Sequence, residues 1–334
     1  MRKRRKRRIR YLILLLFLTS VLLSSSTYAW FTANRVITVR TINVHVESSG
    51  GIEISADATN WKTILSPDDL TTVHDSTYPN STNQIPYNME PVSTGLEVDR
   101  STGFLKMYHG VTDNNYDGEY VLTSTRMIET ESNGVDSTGK FIAFDLFFKT
   151  SNEATLYMTK ESKVSYLTED REKGIASATR VAFVIEGVLP SGSEAEDIQA
   201  LKNATSATTY IWEPNYDVHT AEGIANASNT YHITTSRINA ERIVYDGVIS
   251  EISKSNNVLL GNANQTSYPS YFKRVNVDYP TKKDFTDNVE LFTLDAGISK
   301  VRIYMWIEGQ DVDCENNASY DDIKFDLQLT INPS

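Results

Sequence analysis

The clearest alternation of apolar and polar residues lies near the end of the chain. Val301, Ile303, Met305 and Ile307 share one face of the stretch Lys300 to Glu308, and Ile323, Phe325, Leu327, Leu329 and Ile331 share one face of Ile323 to Ile331. Strand side chains point alternately to the two sides, so each stretch predicts a strand with one apolar face and one polar, solvated face. Phe141 to Lys149 repeats the pattern, with Ile142, Phe144, Leu146 and Phe148 predicted inward and Asp145 and Lys149 outward. Tyr120 to Ile128, Ala154 to Met158 and Arg180 to Glu186 (Val181, Phe183, Ile185) are further predicted strands. Arg35 to Glu47 alternates in two registers: Ile37 and Val39 fall on one parity, Ile42, Val44 and Val46 on the other. A strand whose apolar face flips bends or bulges, so one long strand, or two, passing from one sheet to another is expected here, with the break near Arg40 and Thr41.

Helical periodicity is scarce. Ser193 to Asn203 is expected to be the one convincing helix, with Ser193 as N-cap and Glu196 completing a capping box, and a shorter turn of helix is expected near Pro67-Asp68-Asp69-Leu70. Residues 57–118 and about 190–290 are rich in Asn, Asp, Ser, Thr, Pro and Gly, and read as long insertions between strands. Many alternating strands without strand-helix alternation predict a mainly β protein, an antiparallel β-sandwich of jelly-roll or Greek-key type with long loop insertions and one short helix.

The chain begins differently. Arg2 to Arg10 carries eight Lys and Arg, Tyr11 to Leu23 is apolar apart from Thr19 and Ser20, and small residues stand at Thr27 and Ala29. A basic segment, an apolar run and a small-residue site form an export signal, with cleavage expected between Ala29 and Trp30. No charge occurs from Tyr11 to Asn34, a length that also suits an uncleaved anchor holding the protein to the membrane through residues 11–31. Both readings divide the chain into a segment 1–29, signal peptide or membrane anchor, and a β domain, 30–334, that is secreted or displayed at the cell surface.

Charge and cysteine content narrow the partners. From Trp30 onward, 24 Lys and Arg face 43 Asp and Glu, a net charge of −19. So acidic a chain repels nucleic acid, and no nucleic-acid partner is expected. The single cysteine, Cys314, permits no internal disulfide, which for an exported protein points to a bacterial envelope lacking an oxidising folding compartment. The final residues, Ile331-Asn332-Pro333-Ser334, carry neither a membrane span nor a wall-sorting tail.

Two segments carry a family resemblance. The junction Thr27-Tyr28-Ala29-Trp30-Phe31-Thr32, followed by a β-rich acidic chain, resembles the TasA and camelysin family of Gram-positive surface proteins, and the segment Val301 to Cys314 is similar to the closing strand and loop of exported proteins with that type of signal. The resemblance implies a dedicated signal peptidase of the SipW type and a jelly-roll subunit of the biofilm matrix. It implies assembly with copies of itself, each lending an N-terminal strand, here carrying Ile37, Val39, Ile42, Val44 and Val46, to the next subunit's open sheet. The insertions at 57–118 and 190–290 are departures that would cap those edges. The alternative expectation is an adhesion module that binds glycan or a host ligand through its insertions.

Catalytic motifs are absent from the sequence. His45, His74, His109, His219 and His232 include no i, i+4 pair, no Gly-x-Ser-x-Gly occurs, and Cys314 lies between Asp313 and Glu315, whose charge disfavours a thiolate. No enzyme activity and no obligatory cofactor are expected. Asp113, Asn115 and Asp117, with Gly118, match the first half of an EF-hand loop and are candidate calcium ligands, although position twelve is Ser124. Asp311, Asp313 and Glu315, with Asp321 and Asp322, form a second acidic cluster, and both clusters also fit plain turns in which Asp and Asn cap their own backbone. Loop tyrosines Tyr78, Tyr87, Tyr116, Tyr216, Tyr268 and Tyr271 either line a glycan-binding face or pack the insertions onto the sandwich.

Overall fold

A computed structural model describes residues 11, 37–47, 51–86, 88–129, 139–166, 174–202, 208–231, 242–314 and 322–331. The signal segment and the Ala29–Trp30 junction lie outside them. The first ten strands are β1 (Ile37–Glu47), β2 (Ile52–Ser55), β3 (Ile64–Leu65), β4 (Asn88–Met89), β5 (Val92–Ser93), β6 (Met107–Asn114), β7 (Tyr120–Met127), β8 (Ile142–Thr150), β9 (Ala154–Met158) and β10 (Lys163–Tyr166). The remainder are β11 (Thr179–Leu189), β12 (Thr208–Glu213), β13 (Asp246–Val248), β14 (Phe272–Arg274), β15 (Tyr279–Pro280), β16 (Val289–Leu294), β17 (Gly297–Ile307) and β18 (Asp322–Thr330).

Two sheets face each other, as the alternation predicts. The first runs β16-β9-β18-β1-β3, with β10 also on β18 and β4 also on β1; the second runs β15-β12-β11-β17-β8-β2. Ile142, Phe144, Leu146, Phe148, Val181, Phe183, Val301, Ile303, Met305 and Ile307 from the second sheet pack on Leu156, Met158, Leu291, Leu294, Ile323, Phe325, Leu327 and Leu329 from the first. Burial of these facing rows is the main force holding the layers together.

The expected break in the first strand is a register shift between Val39 and Thr41, so β1 is one bulged strand confined to one sheet, and the chain crosses to the other sheet at β2. The β1 side chain that can be placed, Val44, is buried. Among the described strands pairing is antiparallel except where β1 lies parallel to β18 and β15 parallel to β12, with one isolated parallel bridge between Val92 and Glu308.

Three expectations need correction. The helix near residue 193 is only α2 (Ala195–Gln199); its N-cap is Glu194, and no side chain caps it. The capping box instead opens α1 (Pro67–Thr71), where Ser66 and Asp69 bond each other's backbone and Pro67 supplies the first turn's fixed φ. A third and longer helix, α3 (Ala221–Tyr231), lies where brief strands were expected, so there are three helices among the described residues rather than one.

The largest difference concerns the polar faces. All eleven residues of β17 are buried, and Asp145 of β8, expected to face solvent, is 1% exposed. The insertions are a third layer on the outer side of the second sheet: Val92, Leu105, Met107, Tyr245 and Val275 pack on Ala143, Ala182, Val184, Tyr304 and Trp306. Behind them, β5-β6-β7 and β13-β14 enclose Tyr108, Leu122, Val248, Ile252, Val258 and Phe272. Close approach between these pieces requires Gly247, where an added Cβ would fall 2.0 Å from the carbonyl oxygen of Thr94.

Candidate functional site

Alternation along β17 sends Lys300, Arg302, Tyr304 and Trp306 to the outer side of the sheet, and antiparallel register sets Asp145 of β8 directly opposite Arg302. On the other flank, the register of β11 shifts between Ile185 and Gly187, and this bulge carries Glu186 beside Lys300. A bulge re-aims the side chain it contains, which is how an acidic residue comes to stand next to a buried lysine.

These residues form the floor of a cavity of about 670 Å³. Its walls come from the loop around Ser76 to Thr82, the turn at Ser101 to Phe104, and the end of α2 through Lys202. Asp145 accepts from Arg302 Nη1 at 2.9 Å and from the Tyr78 hydroxyl at 2.8 Å, and Lys300 Nζ lies 3.3 Å away. Lys300 also donates to the Tyr78 oxygen at 3.1 Å and the Gln199 carbonyl at 2.7 Å. Arg302 Nη2 donates to the Thr82 carbonyl at 3.0 Å, and its guanidinium carbon stands 4.4 Å from the centre of the Phe104 ring. Beneath, the Tyr304 hydroxyl donates to Glu129 at 2.7 Å.

Burial would raise the Asp145 carboxyl, but Lys300, Arg302 and the hydrogen bond from Tyr78 hold it at about 2. Burial and the neighbouring Asp145 push the Tyr78 phenol far up, so it stays a neutral donor. Glu129 is raised by burial, which outweighs the opposing pull of Arg302. At neutral pH the floor therefore holds a fixed, ionised Asp145 beneath two cations.

A second buried cluster lies at the other end of the same outer face. Arg180 donates to Glu213 at 2.7 Å, to the Ser177 and Thr179 carbonyls, and to Asp311. Arg242 reaches Glu213 at 2.8 Å, while Asp313 takes His219 Nδ1 at 2.6 Å and the Thr220 backbone N–H at 2.9 Å. Glu308 accepts from Trp306 Nε1 and the Gln310 N–H, both at 3.0 Å. Burial pushes Glu308 up to about 7, against hydrogen bonds from Ser93, Trp306 and Gln310. It pushes Asp311 up as well, with the charge of Asp313 adding to the effect and Arg180 opposing it. The cluster pins the segments around 213–220 and 308–313 to the sheet. Asp311 and Asp313 of the second acidic stretch are thus part of a buried structural joint, while Glu315 and Asp321 lie outside the described residues.

The other sequence-predicted positions are dispersed. Asp113, Asn115 and Asp117 sit at the turn of the β6–β7 hairpin. There Lys254 lies 3.1 Å from Asp113, and the side-chain amide oxygen (Oδ1) of Asn115 accepts the backbone N–H groups of Asp117 and Glu119. Among the described residues no group of three His, Cys, Asp or Glu is placed to hold a metal ion. His109 pairs with Glu90 at 3.0 Å, and His219 is buried against Asp313. Cys314 is buried in the sandwich core. Of the loop tyrosines, Tyr78 is in the cavity floor, Tyr268 and Tyr271 pack on the third layer, Tyr116 is exposed, and Tyr87 lies outside the described residues. No helix among the described residues is long and apolar enough to cross a membrane.

Sequence reasoning missed Lys300, Arg302, Asp145 and Glu186 because charges at alternate strand positions read as a wet face. The signal against that reading was Tyr304 and Trp306 on the same parity: two large aromatic residues mark a face that is covered.

The geometry thus defines a mainly β, two-sheet protein with a covering third layer. No protein-family profile, curated protein or solved structure matches the chain.

Proposed function

We propose that this chain is an exported structural protein of a cell surface or extracellular matrix, a non-catalytic subunit that joins to copies of itself through β1. The basic and apolar start of the chain supports export, and with Thr27 to Thr32 it supports a place beside the TasA and camelysin proteins and processing by a dedicated signal peptidase.

The observation that carries the reading is the seat of β1. This strand lies parallel to β18 over nine residue pairs, from Thr38–Asp322 to Glu47–Thr330, and among the described residues its other side is paired only at Ile37 and Thr38 with β4 and at Val44 and His45 with β3. Among the described strands it continues directly only into β2, which belongs to the opposite sheet. Lifting β1 out therefore bares one long edge, β18, and leaves the main apolar layer formed by other strands. A β1 from a second copy can make the same bonds in the same slot, and such exchange of identical elements is a low-cost route to assembly. At about 0.5–1.5 kcal/mol net for each hydrogen bond, a nine-residue pairing is strong enough to hold subunits together.

The test compares the protein beginning at Trp30 with a version beginning at Gly50, by negative-stain electron microscopy and size-exclusion chromatography. Filaments from the longer form alone are the expected result. Two monomeric forms across concentration and pH would overturn the reading.

A further inference from the structure

We propose that the cavity over Lys300, Arg302, Asp145 and Glu186 is a binding site for a short neutral oligosaccharide. The cavity, about 670 Å³, falls within the roughly 300–1,000 Å³ of ordinary ligand sites.

Its charge pattern selects the class of ligand. Arg302 and Lys300 both pair with Asp145, at 2.9 and 3.3 Å, and Glu186, Glu196 and Lys202 also line the cavity, so three cations are balanced by three anions. A phosphate or carboxylate ligand needs a cation or a nest of N–H groups still open to it; here the two floor cations are engaged by the protein, and Lys202 shares the wall with two carboxylates, Glu186 and Glu196. A fatty or aromatic ligand needs a continuous apolar wall. This wall instead presents the hydroxyls of Ser76, Ser101 and Thr102, the amide of Asn80 and the carboxylates of Glu186 and Glu196. Carboxylates accept, amides donate and hydroxyls do both, which is the complement of a polyol. Phe104, half-buried and set against the Arg302 guanidinium, supplies one apolar ring in the wall for the C–H face of a sugar.

The site is also fixed before any ligand arrives. Tyr78, Lys300, Arg302 and Asp145 hold one another by hydrogen bonds, and Gln199 is tied by its side-chain amide to the carbonyls of Asp57 and Thr77. Gly103, at φ +84°, brings the 101–104 turn so close that an added Cβ would lie 3.0 Å from Glu186 Oε2. Polar groups that are already ordered lose little entropy on binding. The inference does not depend on strand exchange, because the cavity lies on the outer face of the second sheet and β1 belongs to the first.

The test is calorimetric titration of the full chain, held in a detergent without a sugar headgroup. The probes are neutral di- to tetrasaccharides of the glucose, galactose, mannose and N-acetylglucosamine series, with uronate and phosphorylated oligosaccharides for comparison. Thr102→Trp places an indole across the exposed rim without touching the floor, and Thr293→Trp, exposed on β16 in the other sheet, is the control. Saturable binding of at least one neutral series is expected, weakened about tenfold or more by Thr102→Trp and unchanged by Thr293→Trp. The proposal is overturned if no neutral series saturates, if Thr102→Trp binds as the parent does, or if charged oligosaccharides bind more tightly than neutral ones. Filament formation leaves all of these outcomes unmoved, so the two tests fail separately.

Discussion

Glu308 makes the protein more stable in mild acid than in mild alkali. The carboxyl is fully buried, accepts from Trp306 and Gln310, and has its pKa raised from 4.5 to about 7. A group whose pKa is higher in the folded state binds its proton more tightly there, so its stabilising contribution is complete below about 4.5 and is lost as pH rises through 7. A shift of this size corresponds to an upper bound of about 3 kcal/mol. For a domain of this size that bounds the change in melting temperature at roughly 6–12 °C. Asp311 and Glu129, both raised by burial, act in the same direction. The strongly depressed carboxyls do not interfere in this window. Asp145 is held at about 2 by Lys300 and Arg302 despite burial, and Glu90 at about 2 by His109 and Lys140. Asp57 is also held at about 2, against burial, by Thr77, Asn60 and Ser55. Their contributions are complete by pH 5 and are lost only toward pH 2. Melting followed by circular dichroism from pH 5 to pH 8 is therefore expected to show a falling midpoint. Glu308→Gln removes the titrating proton but sets an NH2 against the N–H of Trp306 or Gln310, so it should be less stable than the parent at pH 5 and lose less between pH 5 and pH 8. A midpoint that rises with pH, or a Glu308→Gln slope equal to that of the parent, would refute the reasoning.

Three further outcomes are expected. Arg302→Met leaves Asp145 with Lys300 alone and Glu129 without its cation, and should cost about 3–5 kcal/mol in urea unfolding; adding Asp145→Leu should recover part of that loss. Gly247→Ala drives a Cβ to 2.0 Å from the Thr94 oxygen and should lower stability by about 2 kcal/mol or more, read from the same urea curves. Adding calcium should leave the melting temperature unchanged, because Lys254 pairs with Asp113 and the Asn115 oxygen is taken by two backbone N–H groups. A calcium-dependent rise would restore the 113–118 turn as a metal site.

The sandwich was legible because its inner rows alternate without interruption: Ile142 to Phe148, Val301 to Ile307 and Ile323 to Leu329 need no context to be read as strands facing a core. The β1 break was legible for the same reason, but not its outcome: parity alone left open one strand or two and a crossing between sheets, and the crossing comes only at β2. The cavity was not. Its floor joins residues as distant in sequence as Tyr78, Asp145, Glu186 and Lys300, and the partner of each charge is set by register between strands, which local pattern does not contain. Burial of β17 on both sides depends on what the insertions do, and their Asn- and Ser-rich composition resembles that of solvated loops. Helix α3 was missed because Ala221 to Tyr231, with glycine and two asparagines, has little helical preference of its own. The Ser193 capping pattern was present in sequence, yet the helix starts at Ala195, with Glu194 rather than Ser193 at its N-cap.

The parallel seating of β1 against β18 also fixes how the protein carries load. Tension applied to the chain ahead of β1 and the chain beyond β18 pulls the two strands lengthwise past each other, so the nine pairs resist in shear and must yield together. An antiparallel pair pulled from adjacent ends would open one bond at a time. In a filament joined by exchanged β1 strands, every junction would meet tension in that same shear geometry.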